Sequence, residues 1–304
     1  MMMNRDNIRL CIIPTYQNDI TDIYYMFNNK RFDKTILDTI KLDEKLKRLK
    51  ADFNILQIEI LCENTNVISD FYFTLLYYLL KSYSNKIILT TNLRNPNKGV
   101  INYCDIINVN LNFNNYINEK SVVCKVIKAI SSDKVINVKT LDICCESNPD
   151  KIIEDLNNLK IKSWEIIPYH AYVNSNLKTK EYTYFESIIK KYLFYTKKMK
   201  FAFQNKLQLD NILKIDNYNV KTVYITPNNN FGVLDFTKNN EFQILEYDNY
   251  VDYTKKLQEM EKIRDIFCSN CNSKLRCLSN RYLNLNYTGK SCSGFKDLID
   301  FYNK

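Results

Sequence analysis

The sequence predicts an α/β protein in which a partial (β/α)6, TIM-like barrel precedes a small cysteine-rich metal-binding domain. Two observations support this prediction. Apolar, β-branched runs alternate with amphipathic stretches over the first two thirds of the chain, a pattern typical of βα units with a parallel sheet. Close to the C-terminus, four cysteines follow one another at the spacing C-x2-C-x5-C-x14-C. The first pattern indicates the scaffold, and the second indicates a bound metal.

The apolar runs predict six strands, and the amphipathic stretches predict the helices between them. We expect strands near Ile8–Thr15, Phe53–Cys62, Lys86–Asn92, Asp105–Asn112, Lys134–Cys144 and Trp164–Val173. We expect helices within Asp19–Asp52, Val67–Ser84, Tyr116–Ser131, Asn148–Leu159 and Thr179–Lys200. Asn148 followed by Pro149 is a favourable helix start, because asparagine caps the first turn and proline fits the first helical position. Six successive units favour a partial barrel over a closed one with eight units.

The pattern changes after Lys200. Thr222–Thr226 and Phe231–Phe236 flank a turn that contains Pro227 and three asparagines, which predicts a hairpin. A helix over Tyr250–Phe267 then leads to the four cysteines. We therefore divide the chain into a barrel domain, residues 1–205, and a cysteine-rich domain, residues 206–304.

The composition excludes several kinds of functional site. The chain has only four glycines and contains neither G-x-G-x-x-G nor a P-loop, the glycine-rich segments that bind phosphates. His170 is the single histidine, so H-E-x-x-H zinc sites and histidine clusters are excluded. We interpret His170, which lies in an apolar run, as a partly buried core residue rather than a catalytic base. The sequence predicts no catalytic residue.

The charge and hydropathy of the chain limit its partners and its location. The formal net charge is +9, which favours an acidic peptide, nucleic acid or a membrane surface as partner. The lysines are scattered among acids, so nucleic-acid binding is the weaker alternative. The longest strongly apolar run, Phe71–Leu80, is too short to span a membrane. We expect a cytoplasmic protein whose ten cysteines are not a disulfide framework.

The four C-terminal cysteines form the candidate metal site. Four thiolates at such spacing bind either a zinc ion or an iron–sulfur cluster, and spacing alone does not separate the two. These residues are Cys268, Cys271, Cys277 and Cys292. The other six cysteines match no metal pattern, and we interpret them as small buried apolar residues. They are Cys11, Cys62, Cys104, Cys124, Cys144 and Cys145.

Six βα units followed by a hairpin, a helix and C-x2-C-x5-C resemble the radical SAM enzymes with a C-terminal SPASM domain, many of which are peptide maturases. In that family a C-x3-C-x2-C motif follows the first strand and binds the cluster that cleaves S-adenosylmethionine. The matching positions here are Asn18, Asp22 and Tyr25, so all three thiolates are missing. A Gly-Gly-Glu-Pro motif that contacts the cofactor is reduced to Glu63, and Thr-Asn-Gly becomes Thr91-Asn92-Leu93. The resemblance implies a retained scaffold without a functional S-adenosylmethionine site.

The resemblance also bears on the cysteine-rich domain. SPASM domains bind up to two auxiliary clusters, and Cys268, Cys271, Cys277 and Cys292 correspond to the complete ligand set of one. The other set is missing, since Arg281 occupies one ligand position and no cysteine lies between Cys145 and Cys268. The resemblance therefore implies one [4Fe–4S] auxiliary cluster, with zinc as the alternative.

These observations lead to a functional expectation. We expect a catalytically inactive, radical-SAM-like accessory protein that binds a precursor peptide, an acidic one given the net charge, or a partner enzyme such as an ATP-grasp ligase. This expectation rests on the resemblance. The alternative is an electron-transfer or redox enzyme that uses the single auxiliary cluster, although four thiolates leave that cluster no open coordination site for direct chemistry.

Overall fold

The computed structural model describes residues 6–16, 35–93, 96–112, 124–130, 134–141, 148–167, 181–214, 221–236, 242–270 and 296–303. Ten strands of this part of the chain form one sheet, and helices connect most of them. The strands are β1 Asp6–Ile12, β2 Phe53–Leu61, β3 Ile87–Thr91, β4 Ile106–Asn112, β5 Val135–Leu141, β6 Ser163–Ile167, β7 Ala202–Phe203, β8 Lys221–Ile225, β9 Phe231–Phe236 and β10 Phe242–Tyr247.

Polar residues cap the first turns of several helices. They are α1 Thr39–Asp52, α2 Asp70–Lys81, α3 Lys98–Tyr103, α4 at 124–129, α5 Pro149–Asn157, α6 Glu181–Leu193, α7 Gln204–Lys214, α8 Tyr250–Cys268 and α9 Lys296–Tyr302. Asp38 accepts backbone N–H groups at the start of α1, and Ser69 does so for α2. Asn148 caps α5 with Pro149 in its first turn, as the sequence predicts.

The strand order explains where the helices lie. The order is β10-β9-β8-β1-β2-β3-β4-β5-β6-β7; β1 to β7 are parallel, β8 is parallel to β1, and β9 and β10 are antiparallel additions. Parallel strands that follow one another in chain order have right-handed crossovers, which put the connecting helices on the same face. We call this the helix face, and the other the polar face.

The main core lies between the helix face and the helices. Alternate residues of the strands, such as Leu10, Ile60 and Val109, pack with buried residues of the helices, such as Leu46 and Phe73. Trp164 is fully buried there. Its ring lies 5.0 Å from that of Tyr192 between centroids, and its indole Nε1–H donates to Thr140 Oγ1 at 2.9 Å. The polar face carries the alternate set of side chains.

The structure confirms the predicted α/β class and a large, mostly parallel sheet. All six predicted strands of the first part are present, and the predicted hairpin is present as β8 and β9. The predicted strand ends within the described residues are shifted by three residues at most, whereas the predicted ends Cys144 and Val173 lie outside the described residues. The sequence analysis missed α3, β7, α7, β10 and α9. Since β8 pairs with β1, the sheet continues past the proposed boundary near residue 205. The division into 1–205 and 206–304, the partial barrel and the SPASM module stay predictions.

Candidate functional site

The parallel strands end at one edge of the sheet, which we call the carboxyl edge. In parallel α/β folds this edge binds ligands, because the loops that follow the strands converge there. Several buried polar residues of the described chain lie at this edge, among them Glu63 after β2, Asn92 after β3, Asn110 near the end of β4, and Thr226 and Asn229 after β8.

Glu63 and Asn110 form the most unusual contact at this edge. Asn110 Nδ2 donates to Glu63 Oε1 at 3.4 Å, a long hydrogen bond. Glu63 is 2% exposed and Asn110 is 4% exposed, yet Glu63 Oε2 and Asn110 Oδ1 are both buried without a hydrogen-bond partner. A buried acceptor without a donor costs about 1–3 kcal/mol, and more when it is charged. Two adjacent acceptors therefore require donors that the described residues do not supply.

Two hydrogen bonds hold the main chain at Glu63, from which its side chain extends. Thr91 Oγ1 donates to the Glu63 carbonyl oxygen at 2.8 Å, and the Asn92 N–H donates to the same oxygen at 3.3 Å. Leu93 has φ 57°, in the left-handed region, where the chain turns away from β3. The structure thus brings together Glu63 and the Thr91–Leu93 segment, two separate motifs that the sequence analysis singled out.

A row of polar side chains crosses the polar face below this pair. Glu59 Oε1 accepts from Thr90 Oγ1, from Lys139 Nζ at 3.1 Å and from Asn108 Nδ2 at 3.4 Å. Asn137 Nδ2 donates to Asn108 Oδ1 at 3.0 Å, which continues the row onto β5. The strand register aligns these residues, because Asn108 lies opposite both Thr90 and Asn137. We call these five residues the polar row.

Glu59 is the charged centre of the polar row. Burial raises the pKa of this carboxyl, but the positive charge of Lys139 and the hydrogen bonds from Thr90, Lys139 and Asn108 outweigh that effect and hold the pKa below its usual range. Glu59 is therefore ionised and paired at neutral pH. An ion pair so well satisfied favours a structural role over proton transfer.

A second polar cluster joins the end of β1 to β10. The Tyr16 hydroxyl donates to Glu246 Oε1, while Asn228 Nδ2 donates to Glu246 Oε2 at 2.9 Å and to the Tyr16 oxygen at 3.1 Å. Burial and the Glu246 carboxylate raise the pKa of Tyr16 well above its usual range. Tyr16 is fully buried, so this cluster fixes the carboxyl edge between β8 and β1.

The predicted metal ligands lie mostly outside the described residues. Cys268 is the last residue of α8, as the sequence predicts for a helix that leads to the first thiolate. Cys271, Cys277 and Cys292 lie outside the described residues, so the four-cysteine site stays a prediction. Elsewhere in the described chain, no group of three or more His, Cys, Asp or Glu residues could hold a metal ion.

Other candidates from the sequence can be placed only in part. Asn18, Asp22, Tyr25, His170, Cys144, Cys145 and Arg281 lie outside the described residues. Cys11, Cys62 and Cys104 are buried and Cys124 is half-buried, which confirms the interpretation of these four as packing residues. Burial raises the pKa of Cys104 to about 12, so its thiol is protonated at neutral pH and a poor nucleophile.

The sequence analysis missed Asn108, Asn110, Lys139 and Thr226 as site residues. A usable pattern existed for β4, where asparagine recurs at every second position over 108–112 and so lies on one face of the strand. The contact between Tyr16 and Glu246 spans 230 residues and had no local pattern.

Comparison with known proteins gives limited information. No family model matches the sequence, and no curated protein matches it. Coproporphyrinogen III oxidase from Escherichia coli, a radical SAM enzyme, is among the solved structures that resemble the chain. The identity is 10% and the TM-score 0.36, over 54% of this chain and 44% of the oxidase. The match thus spans less than half of that enzyme, and the fold assignment rests on the strand order above.

None of the described helices is both long enough and apolar enough to cross a membrane.

Proposed function

We propose that the protein is a catalytically inactive, radical-SAM-like accessory protein that binds a precursor peptide at the carboxyl edge of its sheet. The observation that carries this proposal is the pair of buried acceptors, Glu63 Oε2 and Asn110 Oδ1, without donors. A folded protein tolerates such a pair at a binding site, because the ligand then supplies the missing hydrogen bonds. Main-chain N–H groups of a peptide are suitable donors.

The chemistry of the described groups favours binding over catalysis. Glu59, the ionised carboxylate of the polar row, is held by Lys139, Thr90 and Asn108. Cys11 and Cys104 lie in surroundings that raise the pKa of their thiols. The three cysteines of the radical SAM motif are replaced by Asn18, Asp22 and Tyr25. Each of these observations supports a role in which the site holds a ligand without transforming it.

The net charge of +9 supports an acidic peptide as the partner. Long-range attraction would raise the association rate of such a peptide, and its effect would weaken as salt is added. The contacts at Glu63 and Asn110 would then fix the bound segment. In this proposal an ATP-grasp-type ligase or another modifying enzyme acts on the peptide while it is held.

The metal in this proposal is a [4Fe–4S] cluster on Cys268, Cys271, Cys277 and Cys292, or a zinc ion on the same thiolates. Cys268 is the last residue of α8, a 19-residue helix that packs on β9 and β10. The donor set suits either group, since both take four thiolates. Its binding energy would stabilise the segment that follows α8.

A titration tests the proposal. A labelled candidate acidic precursor is titrated with the wild-type protein, with Asn110→Ala and with the control Asn102→Ala, in the presence and absence of the candidate modifying enzyme. Asn102 is an exposed asparagine on α3. We expect binding by the wild type and the control, and weaker binding by Asn110→Ala because one acceptor and one donor are lost. Absence of binding with and without the enzyme would refute the proposal.

A further inference from the structure

The two ends of the sheet differ in a way that bears on binding. β10 pairs with β9 on one side, and in the described part of the chain no strand lies beyond it. The strand at the opposite end, β7, has only two residues. Proteins commonly protect a sheet edge with a very short strand, proline or lysine, because an open edge pairs with other chains. β10 has six residues and contains neither proline nor lysine, so it lacks these protections.

The strand register shows which main-chain groups lie on the outer side of β10, the side away from β9. In an antiparallel pair, hydrogen-bonded and non-hydrogen-bonded residue pairs alternate. Thr226 N–H donates to the Asn230 carbonyl, so the next residue, Phe231, directs its main-chain groups away from β8 and towards β10. The same alternation along β9 and β10 turns the N–H and C=O of Leu245 towards β9 and those of Ile244 to the outer side.

The outer main-chain groups of Ile244 are available for a further strand. Among the described residues, no hydrogen bond involves the N–H or the C=O of Ile244. Ile244 and Leu245 are half-buried, whereas Val233, which lies opposite Leu245 on β9, is 2% exposed. The Ile244 side chain packs over Gly232, where an added Cβ would lie 2.5 Å from its Cδ1. Packing thus holds the residue in place while its main-chain groups face outwards.

From this geometry we infer that the outer side of β10 binds an extended segment of the acidic peptide as an additional strand. Such a strand would exchange main-chain hydrogen bonds with Ile244 and, by the same alternation, with Phe242.

The charge of the chain favours a peptide over a second copy as the occupant. Two chains of net charge +9 repel each other, whereas an acidic peptide is attracted. β10 also runs parallel to β8, so it ends at the carboxyl edge, where the proposed function places the peptide. The inference rests on the proposed function for the identity of the peptide, and it adds a second contact to that at Glu63 and Asn110.

The test uses two probes and two variants of the full chain. The first probe is an acetylated, amidated hexapeptide of alternating glutamate and valine. The second has every peptide nitrogen methylated, so it keeps the charge and the side chains but has no main-chain donor. Ile244→Pro removes the outer N–H and leaves the ladder to β9, since proline is tolerated where a strand N–H faces away from its neighbour. Ile244→Ala is the matched control, because it also loses the packing over Gly232 but keeps the N–H.

Residue-resolved amide hydrogen exchange and binding titrations give the result. Without probe, the Ile244 N–H should exchange faster than the Leu245 N–H, which the ladder to β9 protects. The first probe should slow exchange at Ile244, and the methylated probe should not. Ile244→Pro should bind the first probe about tenfold more weakly than Ile244→Ala, because a main-chain hydrogen bond is lost.

Three results would overturn the inference. They are equal binding of the two probes, equal affinity of Ile244→Pro and Ile244→Ala, and slow exchange at Ile244 without probe, which would mean that this chain or a second copy already covers the outer side of β10. If Ile244→Pro does not fold, the exchange rates and the methylated probe decide between the outcomes.

The same variants separate this inference from the proposed function. If the precursor binds with equal affinity to Ile244→Pro and Ile244→Ala, the β10 site is refuted and the function stands. If the hexapeptide acts as expected but no precursor binds, the β10 site stands and the function is refuted.

Discussion

Replacement of Lys139 by methionine tests the interpretation of the polar row. Lys139 Nζ lies 3.1 Å from Glu59 Oε1, and the two side chains are 17% and 22% exposed. At this distance the attraction is about 5 kcal/mol for an effective dielectric constant of about 20, largely offset by the desolvation of both ions. Lys139→Met leaves the Glu59 charge with neutral donors alone. We expect the free energy of unfolding to fall by about 3 kcal/mol at pH 7, which is at the low end of the range for a buried ion pair that loses one partner.

The sign of the pH dependence is a second part of this prediction. In the wild type, folding lowers the pKa of Glu59. Its stabilising contribution to the free energy of unfolding is therefore fully present above the pKa of the unfolded chain, about 4.3. That contribution is lost as the pH falls through the lower pKa of the folded protein. Without Lys139, burial dominates and raises the pKa of Glu59 above the unfolded value. Ionised Glu59 then destabilises the variant at neutral pH, and protonation relieves this as pH falls. The difference in the free energy of unfolding between variant and wild type should therefore be smaller at pH 4.5 than at pH 7.

Urea unfolding at both pH values measures these differences, with Lys125→Met, an exposed lysine, as control. For a chain of 304 residues a loss of about 3 kcal/mol corresponds to a Tm about 5 °C lower. The double variant Glu59→Gln/Lys139→Met should recover most of the loss, because no charge remains to be buried. An equal loss at pH 7 and pH 4.5, or no loss at all, would refute the reasoning.

Three further variants test other parts of the structure. Thr140→Val deprives the buried Trp164 indole N–H of its acceptor and should lower the free energy of unfolding by about 1–3 kcal/mol. Urea unfolding, followed by the fluorescence of this single tryptophan, measures the change, and an unchanged midpoint would contradict the contact. Tyr16→Phe removes the hydroxyl shared by Glu246 and Asn228 and should cost about 1 kcal/mol by the same assay, with the exposed Tyr78→Phe unchanged. The wild type purified without oxygen should contain about four irons and four sulfides per chain. Cys271→Ala should lose them, whereas Cys124→Ala should keep them. One zinc without sulfide in the wild type would instead indicate a structural zinc site and remove the redox alternative.

The sequence was most informative where the local pattern was strong. Each of β1 to β6 carries apolar residues on the helix face, which made these strands recognisable in the sequence, and their spatial order follows the chain. Asn148 and Pro149 correctly located the start of α5. α3 and β7 were missed because they have six and two residues, too few for a visible period. β10, for which the sequence analysis made no prediction, pairs with β9 at the end of the sheet.

The candidate site was less predictable for a physical reason. Glu63 was singled out through the resemblance, but its deficit of donors depends on Asn110, which lies 47 residues further along the chain. Lys139 and Asn137 alternate with apolar residues along β5, which indicated one polar face without identifying Glu59 as the partner. Contacts between strands set these properties, and no local pattern encodes them.

The central claim is that the carboxyl edge lacks donors because a bound peptide supplies them, and Glu63→Gln tests it most directly. The amide is cheaper to bury than a carboxylate and can donate to Asn110 Oδ1, so the ligand-free variant should be more stable than the wild type. Fluorescence anisotropy of a labelled precursor should show affinity at least about tenfold weaker than for the wild type or for Glu154→Gln, an exposed control on α5. Unchanged affinity, together with lower stability of the ligand-free variant, would contradict the account.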